Sequence, residues 1–299
     1  MKKWRCKVCN FVHTGNEPPE ECPVCKAEKS QFILMEESST SNQSQKSARW
    51  RCTVCGYIHE GGWMTNMFTV YLKEIKSYYS SPVACIFSGL FLLVSAILFC
   101  INNLFMESSN FNNTLASMGV VLIFIIPVLT MRILSEERKN GTEALLLTSP
   151  ISLASIVVGK YLAALTVFLI FTIISFIFPL SLLAFGGKIT AQLLGGYAGF
   201  IFLGAAYISI GVFASSLTKN QIISACLSFV ILLIIWISSS FANVVGGGVS
   251  RILKWLSLIS RYESFNLGLF KIEHLVYYLS FIILFITLTV MVIEKRRWS

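Results

Sequence analysis

The sequence has little charge. Only 13% of its 299 residues are Asp, Glu, Lys or Arg, whereas 55% are hydrophobic, and its mean hydropathy is +0.71. An ordinary soluble domain carries about 25% charged residues. The deficit of charge excludes a soluble protein for the chain as a whole. It predicts a membrane protein to which a more polar segment is attached.

The sequence also lacks the phosphate-binding motif Gly-x-x-x-x-Gly-Lys-Ser/Thr. The backbone N–H groups of such a loop cradle the phosphates of a nucleotide, and its lysine reaches the terminal phosphates. Without it, the chain is not expected to bind ATP in the usual way. We therefore predict that this chain is not an enzyme.

Ionisable and haem-ligating residues are scarce inside the apolar runs. Ion-coupled carriers hold their ion on ionisable side chains in mid-membrane, but here the charges cluster at the ends of the runs. Haem in a membrane bundle needs axial ligands, commonly histidine, and His274 is the only histidine after residue 63. These deficits argue against an ion-coupled carrier and against a membrane haem protein.

Six apolar runs are long enough to cross a bilayer, which takes about 20 residues each. They cover residues 83–105, 115–134, 155–182, 191–217, 221–242 and 275–293. Lysine and arginine concentrate in alternate connections and after the last run, which predicts cytoplasmic N- and C-termini. The basic segment 251–271 is the exception, because six-span parity places it outside. The predicted fold class is an all-α, multi-pass membrane protein with six transmembrane helices.

The first 55 residues are rich in paired cysteines. Six of the nine cysteines form three Cys-x-x-Cys pairs: Cys6 with Cys9, Cys22 with Cys25, and Cys52 with Cys55. Two such pairs that face each other place four thiolates at the corners of a tetrahedron, which suits iron or zinc. Paired cysteines among acids and lysines indicate a reducing compartment and a metal rather than disulfides. The first two pairs therefore predict a metal site.

The third pair lies in a partial repeat of the first module. Residues 50–62 repeat its opening, but the repeat stops before a further cysteine pair. Two thiolates do not close a tetrahedral site. The repeat is therefore either a truncated duplication without a metal, or a half-site in which two protomers each contribute Cys52 and Cys55 to one metal.

The connection between the second and third apolar runs is predicted to form a short helix that lies across the ends of two membrane helices. Its charge cluster, residues 136–139, is followed by Gly141, which ends a helix, and by Thr142, which can cap the next one. Leucines at 145–147 would form the apolar face of that helix. Ser149 followed by Pro150 predicts the start of the third membrane helix. Such a helix suits docking into a groove on a soluble partner.

Residues 1–36 resemble the short rubredoxin domain at the end of rubrerythrins. The resemblance rests on the first two cysteine pairs and on the phrase Glu17-Pro18-Pro19-Glu20. It implies a single Fe, held by Cys6, Cys9, Cys22 and Cys25, that shuttles one electron, with Zn as the alternative metal. Trp4, Phe11 and Phe32 would form the small core, and the metal would supply most of the folding energy. Asn10 and Lys26 depart from the family pattern, which commonly has glycine there.

Residues 67–299 resemble ABC-2 type permeases, the membrane subunits of ATP-driven exporters, and the gliding-motility branch is the nearest in pattern. The resemblance rests on residues 71–82, 136–150, Gly159-Lys160 and 277–298. It implies that a separate ATPase subunit binds the loop between the second and third spans. The residues that it implies for this coupling are Glu136, Glu137, Arg138, Gly141, Thr142, Glu143, Leu145, Leu146 and Leu147.

We therefore predict four regions: a rubredoxin-like metal domain at 1–36, a flexible linker at 37–49, a truncated second knuckle at 50–63, and a permease domain at 64–299. The predicted function is the membrane subunit of an ATP-driven exporter in the prokaryotic cytoplasmic membrane. Its partners would be a separate ATPase and a second or sibling permease, with no nucleic acid. The alternative is a membrane-anchored redox protein whose rubredoxin-like module passes electrons to a membrane acceptor.

Overall fold

The computed structural model describes residues 3–6, 12–14, 23, 26, 32–35, 49–51, 58–60, 63–106, 110–143, 151–184, 191–244, 257–268 and 271–297. The chain divides into two compact units, Met1–Ala48 and Arg49–Ser299.

The first unit contains a three-stranded antiparallel sheet. Its strands are β1 (Lys3–Cys6), β2 (Val12–Thr14) and β3 (Phe32–Met35), in the order β2-β1-β3. On the central strand, Trp4 pairs with His13 on one side and with Leu34 on the other. The sheet therefore brings together the two segments that flank the first cysteine pair and the segment that follows the second.

The second unit begins with a β-hairpin that repeats part of this sheet. Its strands are β4 (Arg49–Arg51) and β5 (Ile58–Glu60), and Trp50 pairs with His59. This register matches that of Trp4 with His13. The sequence repeat is thus also a repeat of local structure.

The rest of the second unit is helical. Its helices are α1 (Trp63–Ser80), α2 (Pro82–Phe99) with a π-helical continuation (Cys100–Phe105), α3 (Asn112–Thr130), α4 (Ser135–Lys139), α5 (Leu153–Ser175), α6 (Ile177–Ala184), α7 (Ala191–Leu217), α8 (Gln221–Val244), α9 (Leu258–Asn266) and α10 (Ile272–Arg297).

Six segments of the described residues are long and apolar enough to cross a membrane. They are Pro82–Phe105, Asn112–Lys139, Leu153–Leu182, Ala191–Leu217, Gln221–Ser238 and Ile272–Arg296. The prediction of an all-α membrane part with six spans is confirmed. The second and third spans each combine a long helix with a short one, α3 with α4 and α5 with α6.

The third span starts later than the Ser149-Pro150 pair predicts. Helix α5 begins at Leu153, and its N-cap is Ser152, whose hydroxyl accepts a hydrogen bond from the backbone N–H of Ser155 at 3.3 Å. The prediction that Ser149 starts this membrane helix is therefore wrong. A second serine three residues further on supplies the capping oxygen that the first turn of the helix needs.

The same span is interrupted at Phe176, between α5 and α6. Pro179 has no backbone N–H, so it cannot donate to the carbonyl oxygen of Ser175 one turn earlier. The Tyr197 hydroxyl donates to that oxygen instead, at 3.3 Å. The hydrogen bond that Pro179 cannot make at this break is therefore replaced by one from a neighbouring helix.

Helix α7 lies at the centre of the bundle and is the most buried span. Its glycines are the reason that neighbours approach so closely. A Cβ atom on Gly204 would overlap the ring of Phe168 in α5, and one on Gly211 would overlap Thr130 in α3. Contacts of this kind, in which small residues let helices approach, are the usual basis of helix association in membranes.

Three amides join α3, α7 and α9 at the end of the bundle where α3 begins. The Asn112 side-chain N–H₂ donates to the carbonyl oxygens of Asn266, at 2.9 Å, and Gln192, at 3.3 Å. The Asn266 side chain donates back to the Asn112 carbonyl oxygen at 3.2 Å. We call Asn112, Gln192 and Asn266 the amide joint.

Candidate functional site

The second span breaks at the end of the bundle opposite the amide joint. Helix α3 ends at Thr130, residues 131–134 form a turn, and α4 follows. The hydroxyl of Ser215 in α7 accepts the backbone N–H groups of Leu134 and Ser135, at 3.0 and 3.1 Å. Where a helix breaks, backbone N–H groups lose their partners within the helix. The Ser215 hydroxyl takes the place of those partners, so α7 holds the turn in place.

Lys160 of α5 lies at the centre of this region and is only 2% exposed. Its ammonium nitrogen is 2.7 Å from Glu74 Oε1 and 2.8 Å from Glu137 Oε1, and it donates to the Ile133 carbonyl oxygen at 3.1 Å. An ammonium group has three donors, and all three are used. We call Lys160, Glu74 and Glu137 the charged joint. It ties α1, the turn, α4 and α5 to one another.

Close packing of α1 on α5 makes the charged joint possible. A Cβ atom on Gly159 would lie 3.0 Å from the Met67 carbonyl oxygen and 3.2 Å from the Val70 side chain. Since residue 159 has no side chain, α1 approaches closely enough for Glu74 to reach Lys160. The Tyr71 and Thr166 hydroxyls, 3.1 Å apart, add a second link between the same helices.

Two carboxylates surround one ammonium group in the charged joint, so its own charges sum to −1. Breaking such a buried pair by removing one partner is costly, because it leaves an uncompensated charge.

The pKa of Tyr78 of α1 is also affected by burial and by a carboxylate of the charged joint. Burial, and secondly the Glu74 carboxylate, raise the pKa of Tyr78. Its hydroxyl therefore stays protonated and donates to the Leu129 carbonyl oxygen at 3.3 Å.

A cavity of about 340 Å³ opens beside the charged joint. Its wall includes Lys73 of α1 and, from the segment after α4, Asn140 and Thr142. On the same wall, the Arg132 guanidinium donates two hydrogen bonds to the Glu136 carboxylate, both at 2.6 Å. Asn140 and Thr142 therefore border open space on this side of the segment that follows α4.

A second set of charges lies on the other side of α4. Glu143 is 3.3 Å from Arg138 Nε and 3.5 Å from Arg296 Nη1, and both guanidinium groups also donate to the Ser216 carbonyl oxygen. Arg296 belongs to the last turns of α10, and Ser216 to the end of α7. The segment after α4 is thus attached to two further spans.

The structure places the predicted coupling residues in different environments. Glu136 pairs with Arg132, Glu137 belongs to the charged joint, and Arg138 pairs with Glu143. Gly141 has φ +72°, the left-handed conformation that lets the chain turn after α4. The Thr142 hydroxyl donates back to the Glu137 carbonyl oxygen at 3.3 Å. Leu145, Leu146 and Leu147 lie outside the described residues.

Within 136–143, the exposed residues are Lys139, Asn140, Gly141 and Thr142. This short exposed stretch is available to a partner, while the carboxylates around it are used in the chain's own ion pairs. The prediction that Glu136, Glu137, Arg138 and Glu143 face a partner therefore stays a prediction, as does the role of Gly141 and Thr142, and Lys139 and Asn140 are added to them.

Sequence reasoning missed the two joints. It named Lys160 only as part of the family resemblance, and it predicted no side-chain partner for Glu74, Ser215 or Arg296. The signal that could have found Lys160 is its position inside the third apolar run, since a charge there needs a partner. No sequence signal identifies Glu74 as that partner, because it is 86 residues away.

The predicted metal ligands fall mainly outside the described part of the chain. The backbone of Cys6 ends β1, whereas Cys9, Cys22, Cys25, Cys52 and Cys55 are outside the described residues. Lys26, directly after the second pair, is described and has φ +54°. Glycine adopts this left-handed conformation most easily. The departure at Lys26 therefore keeps the backbone turn that glycine favours at that position.

The first module matches known proteins. The family model "Rubrerythrin, rubredoxin-like domain" matches residues 4–33. The chain is 52% identical over 33 residues to reverse rubrerythrin-1 of Clostridium acetobutylicum, and 48% identical over 33 residues to rubrerythrin of Nitratidesulfovibrio vulgaris. Each match covers 11% of this chain, and 18% and 17% of those relatives. The chain thus spans less than a fifth of the curated relatives that it matches, and the resemblance to a rubredoxin-like domain is confirmed.

The second unit matches a transporter family over most of its length. The family model "ABC-2 family transporter protein" matches residues 68–294, which is more than half of the chain. The match includes both joints, the first five candidate spans, all but the last two residues of the sixth, and the interrupted segment between the second and third spans. This chain therefore belongs to the ABC-2 family of transporter proteins.

Proposed function

We propose that this chain is the membrane subunit of an ATP-driven exporter whose ATPase is a separate polypeptide. The observation that carries the proposal is the interrupted second span. Its end, α4 and residues 140–143, is here called the docking segment. It follows the turn at 131–134, turns again at Gly141, and is anchored through Glu137 by the buried Lys160. A short segment of this kind can be moved from outside without unfolding the helices beside it.

The exposed stretch Lys139 to Thr142 supplies the accessible part of the docking surface. The leucines at 145–147 would then fill a groove on the ATPase, as an amphipathic helix does. The Glu136, Glu137, Arg138 and Glu143 side chains hold this segment in its position. Among the residues matched by the family model, none forms a nucleotide-binding motif, which supports a separate ATPase.

The charged joint gives a route for force from the ATPase into the membrane. Glu137 is part of the docking segment and would move with it. Lys160 of α5 connects Glu137 to Glu74 of α1. A rigid-body movement of these helices against the rest of the bundle would alternate the access of the transport pathway between the two sides. A second or sibling copy of the permease would form the other half of the pathway.

Cross-linking from Thr142 tests the proposal. A photo-reactive amino acid placed at exposed Thr142 should cross-link the intact chain, in its native membrane, to an ATPase that mass spectrometry can identify. The matched control is the same amino acid at Leu267, which is exposed near the amide joint. Cross-links from Leu267 but not from Thr142, or labelling of Thr142 from the outer side only, would contradict the proposal.

For the first module, we propose a single iron held by Cys6, Cys9, Cys22 and Cys25. The four thiolates and the left-handed turn at Lys26 suit such a site. The metal, when bound, would supply one-electron transfer. The protein would hold it through the two cysteine pairs, the first of which begins at Cys6, the last residue of β1.

This module supports a second candidate function, a membrane-anchored redox protein. Metal analysis and visible absorbance of the purified full chain test it. About one iron per chain and absorbance of a ferric thiolate site are expected, and both should be lost in the Cys6→Ser variant. Zinc in place of iron in protein purified from its native host would contradict the electron-transfer function. It would leave the transport proposal unaffected.

We retain the four regions, 1–36, 37–49, 50–63 and 64–299, and the cytoplasmic position of both termini as proposals. The antiparallel order of the spans supports placing both termini on the same side of the membrane, because the charged joint, the end of α7 and the end of α10 lie at one end of the bundle. That end is also where the proposed ATPase would dock. Accessibility of an engineered tag after Ser299 to a protease on each side of the membrane tests it.

A further inference from the structure

Glu143 is the meeting point of three parts of the chain that are far apart in sequence. It approaches Arg138 at the end of α4 and Arg296 at the end of α10, and both guanidinium groups reach the carbonyl oxygen of Ser216 at the end of α7. The side chains of Arg138, Glu143 and Arg296 are 12%, 26% and 25% exposed. They are therefore partly buried, and their interactions are less screened by solvent than those of a surface pair.

The contact with α10 has an apolar base. Ile293, one turn before Arg296, is 7% exposed and lines a small pocket together with Leu134, Ile156 and Val157. Apolar packing thus holds the end of α10 against α5 and the turn after α3. The ion pair of Arg296 with Glu143 then extends this contact to the segment after α4.

We infer that Arg138, Glu143 and Arg296 form a clamp that makes the end of the last span move with the docking segment. The inference rests on the proposed function, and it deepens it by naming a second route for force. The charged joint connects the segment to α1 and α5, whereas the clamp connects it to α7 and α10. Glu143 and Arg296 are positioning residues, since neither touches a substrate.

The charges of the clamp make its variants unequal. Glu143→Gln leaves two guanidinium groups close together with no carboxylate between them. Arg296→Gln leaves Arg138 able to pair with Glu143, so α4 stays attached and only α10 is released. Replacing both Glu143 and Arg296 should weaken the contact no more than replacing Glu143 alone, because the two side chains act on the same contact.

Hydrogen exchange measured by mass spectrometry on the full chain tests the clamp. In the chain alone, Arg296→Gln should speed exchange at the end of α10 about three- to tenfold, and Glu143→Gln should also speed it in residues 135–143. Lys295→Gln is the matched control, because it removes a charge from the exposed neighbouring position and should leave both peptides unchanged. Arg296→Lys should restore much of the protection.

The complex with the ATPase supplies the decisive readout. Between the ADP state and an ATP state trapped with vanadate, exchange at the end of α10 should change in the unaltered chain and in Lys295→Gln. The change should be lost in Arg296→Gln, while the change in residues 135–143 remains.

A nucleotide-driven change at α10 that persists in Arg296→Gln would overturn the clamp and leave the proposed function intact. So would an Arg296→Gln chain that behaves like Lys295→Gln. If no ATPase binds the unaltered chain, the proposed function fails, and the inference fails with it.

Discussion

The two ends of the helical bundle are joined by different chemistry. At one end, the charged joint buries Lys160 to 2% exposure between two carboxylates. At the other, the amide joint buries Asn112 to 3% exposure and uses only neutral groups and backbone carbonyls. Both joints connect three or more segments, so the number of links does not distinguish them.

The difference lies in what each joint requires. Neutral amides need only hydrogen-bond partners, which α7 and α9 supply through their backbones. Charges also need compensation, so loss of the Lys160 ammonium would leave two carboxylates without a counter-charge. Two of the segments that it holds, the turn at residues 131–134 and α4, are short. We infer that the amide joint is a static connection, and that the charged joint belongs to the end where movement is transmitted.

The largest effect should come from Lys160. Lys160→Met leaves Glu74 and Glu137 buried without a counter-charge, and we expect it to lower the free energy of unfolding by about 3–5 kcal/mol. Thermal unfolding of the purified chain in detergent measures this. Lys76→Met is the control, because Lys76 of α1 is exposed and lies two residues after Glu74.

The same variant offers a sharper test. Adding Glu74→Gln and Glu137→Gln to Lys160→Met should recover most of the lost stability, since no uncompensated charge remains. If the triple variant is less stable than Lys160→Met, the loss comes from packing rather than charge, and the contrast between the two joints does not hold.

A smaller effect is expected at the amide joint. Asn112→Leu removes two hydrogen bonds to backbone carbonyls, and we expect a loss of about 1–3 kcal/mol. The neighbouring Asn113→Leu is the control, because Asn113 is exposed. Thermal unfolding compares them. If Asn112→Leu lowers the free energy of unfolding as much as Lys160→Met does, the loss does not depend on whether the joint is charged or neutral.

Helix α7 connects the two ends, and its close packing can be tested separately. Gly204→Ala places a methyl group against the Phe168 ring, so overpacking should cost about 1–3 kcal/mol. Gly89→Ala is the matched control, since a Cβ atom there meets nothing within 4 Å. Equal melting temperatures for the two variants would contradict the packing of α5 on α7.

The smallest effect is expected where α5 begins. Ser152→Ala removes the N-cap of the helix that carries Lys160, and we expect a loss of about 0.5–2 kcal/mol. Hydrogen exchange at the first turn of α5 should become faster in Ser152→Ala and stay unchanged in Ser149→Ala. The reverse result would restore the start of the helix to the Ser149-Pro150 pair.

Several elements were predictable from local sequence. Apolar length located the six spans, and Gly141 marked a place where a helix ends, because the conformational freedom of glycine acts within one turn. The Ser149-Pro150 signal failed because two serines compete for the same cap. The candidate site was predicted in part: the residues around Gly141 were recognised, but the partners that hold them were not.

The sequence by itself determined the six apolar runs that are long enough to cross a membrane, the helix end at Gly141 and the positions of the three Cys-x-x-Cys pairs. These properties depend on neighbouring residues alone. Only the tertiary structure decided that Lys160 meets Glu74 and that Arg296 meets Glu143. Helical periodicity shows which side chains share a face, but which faces meet depends on how closely whole helices pack. Here that is set by small residues such as Gly159, which let α1 approach α5.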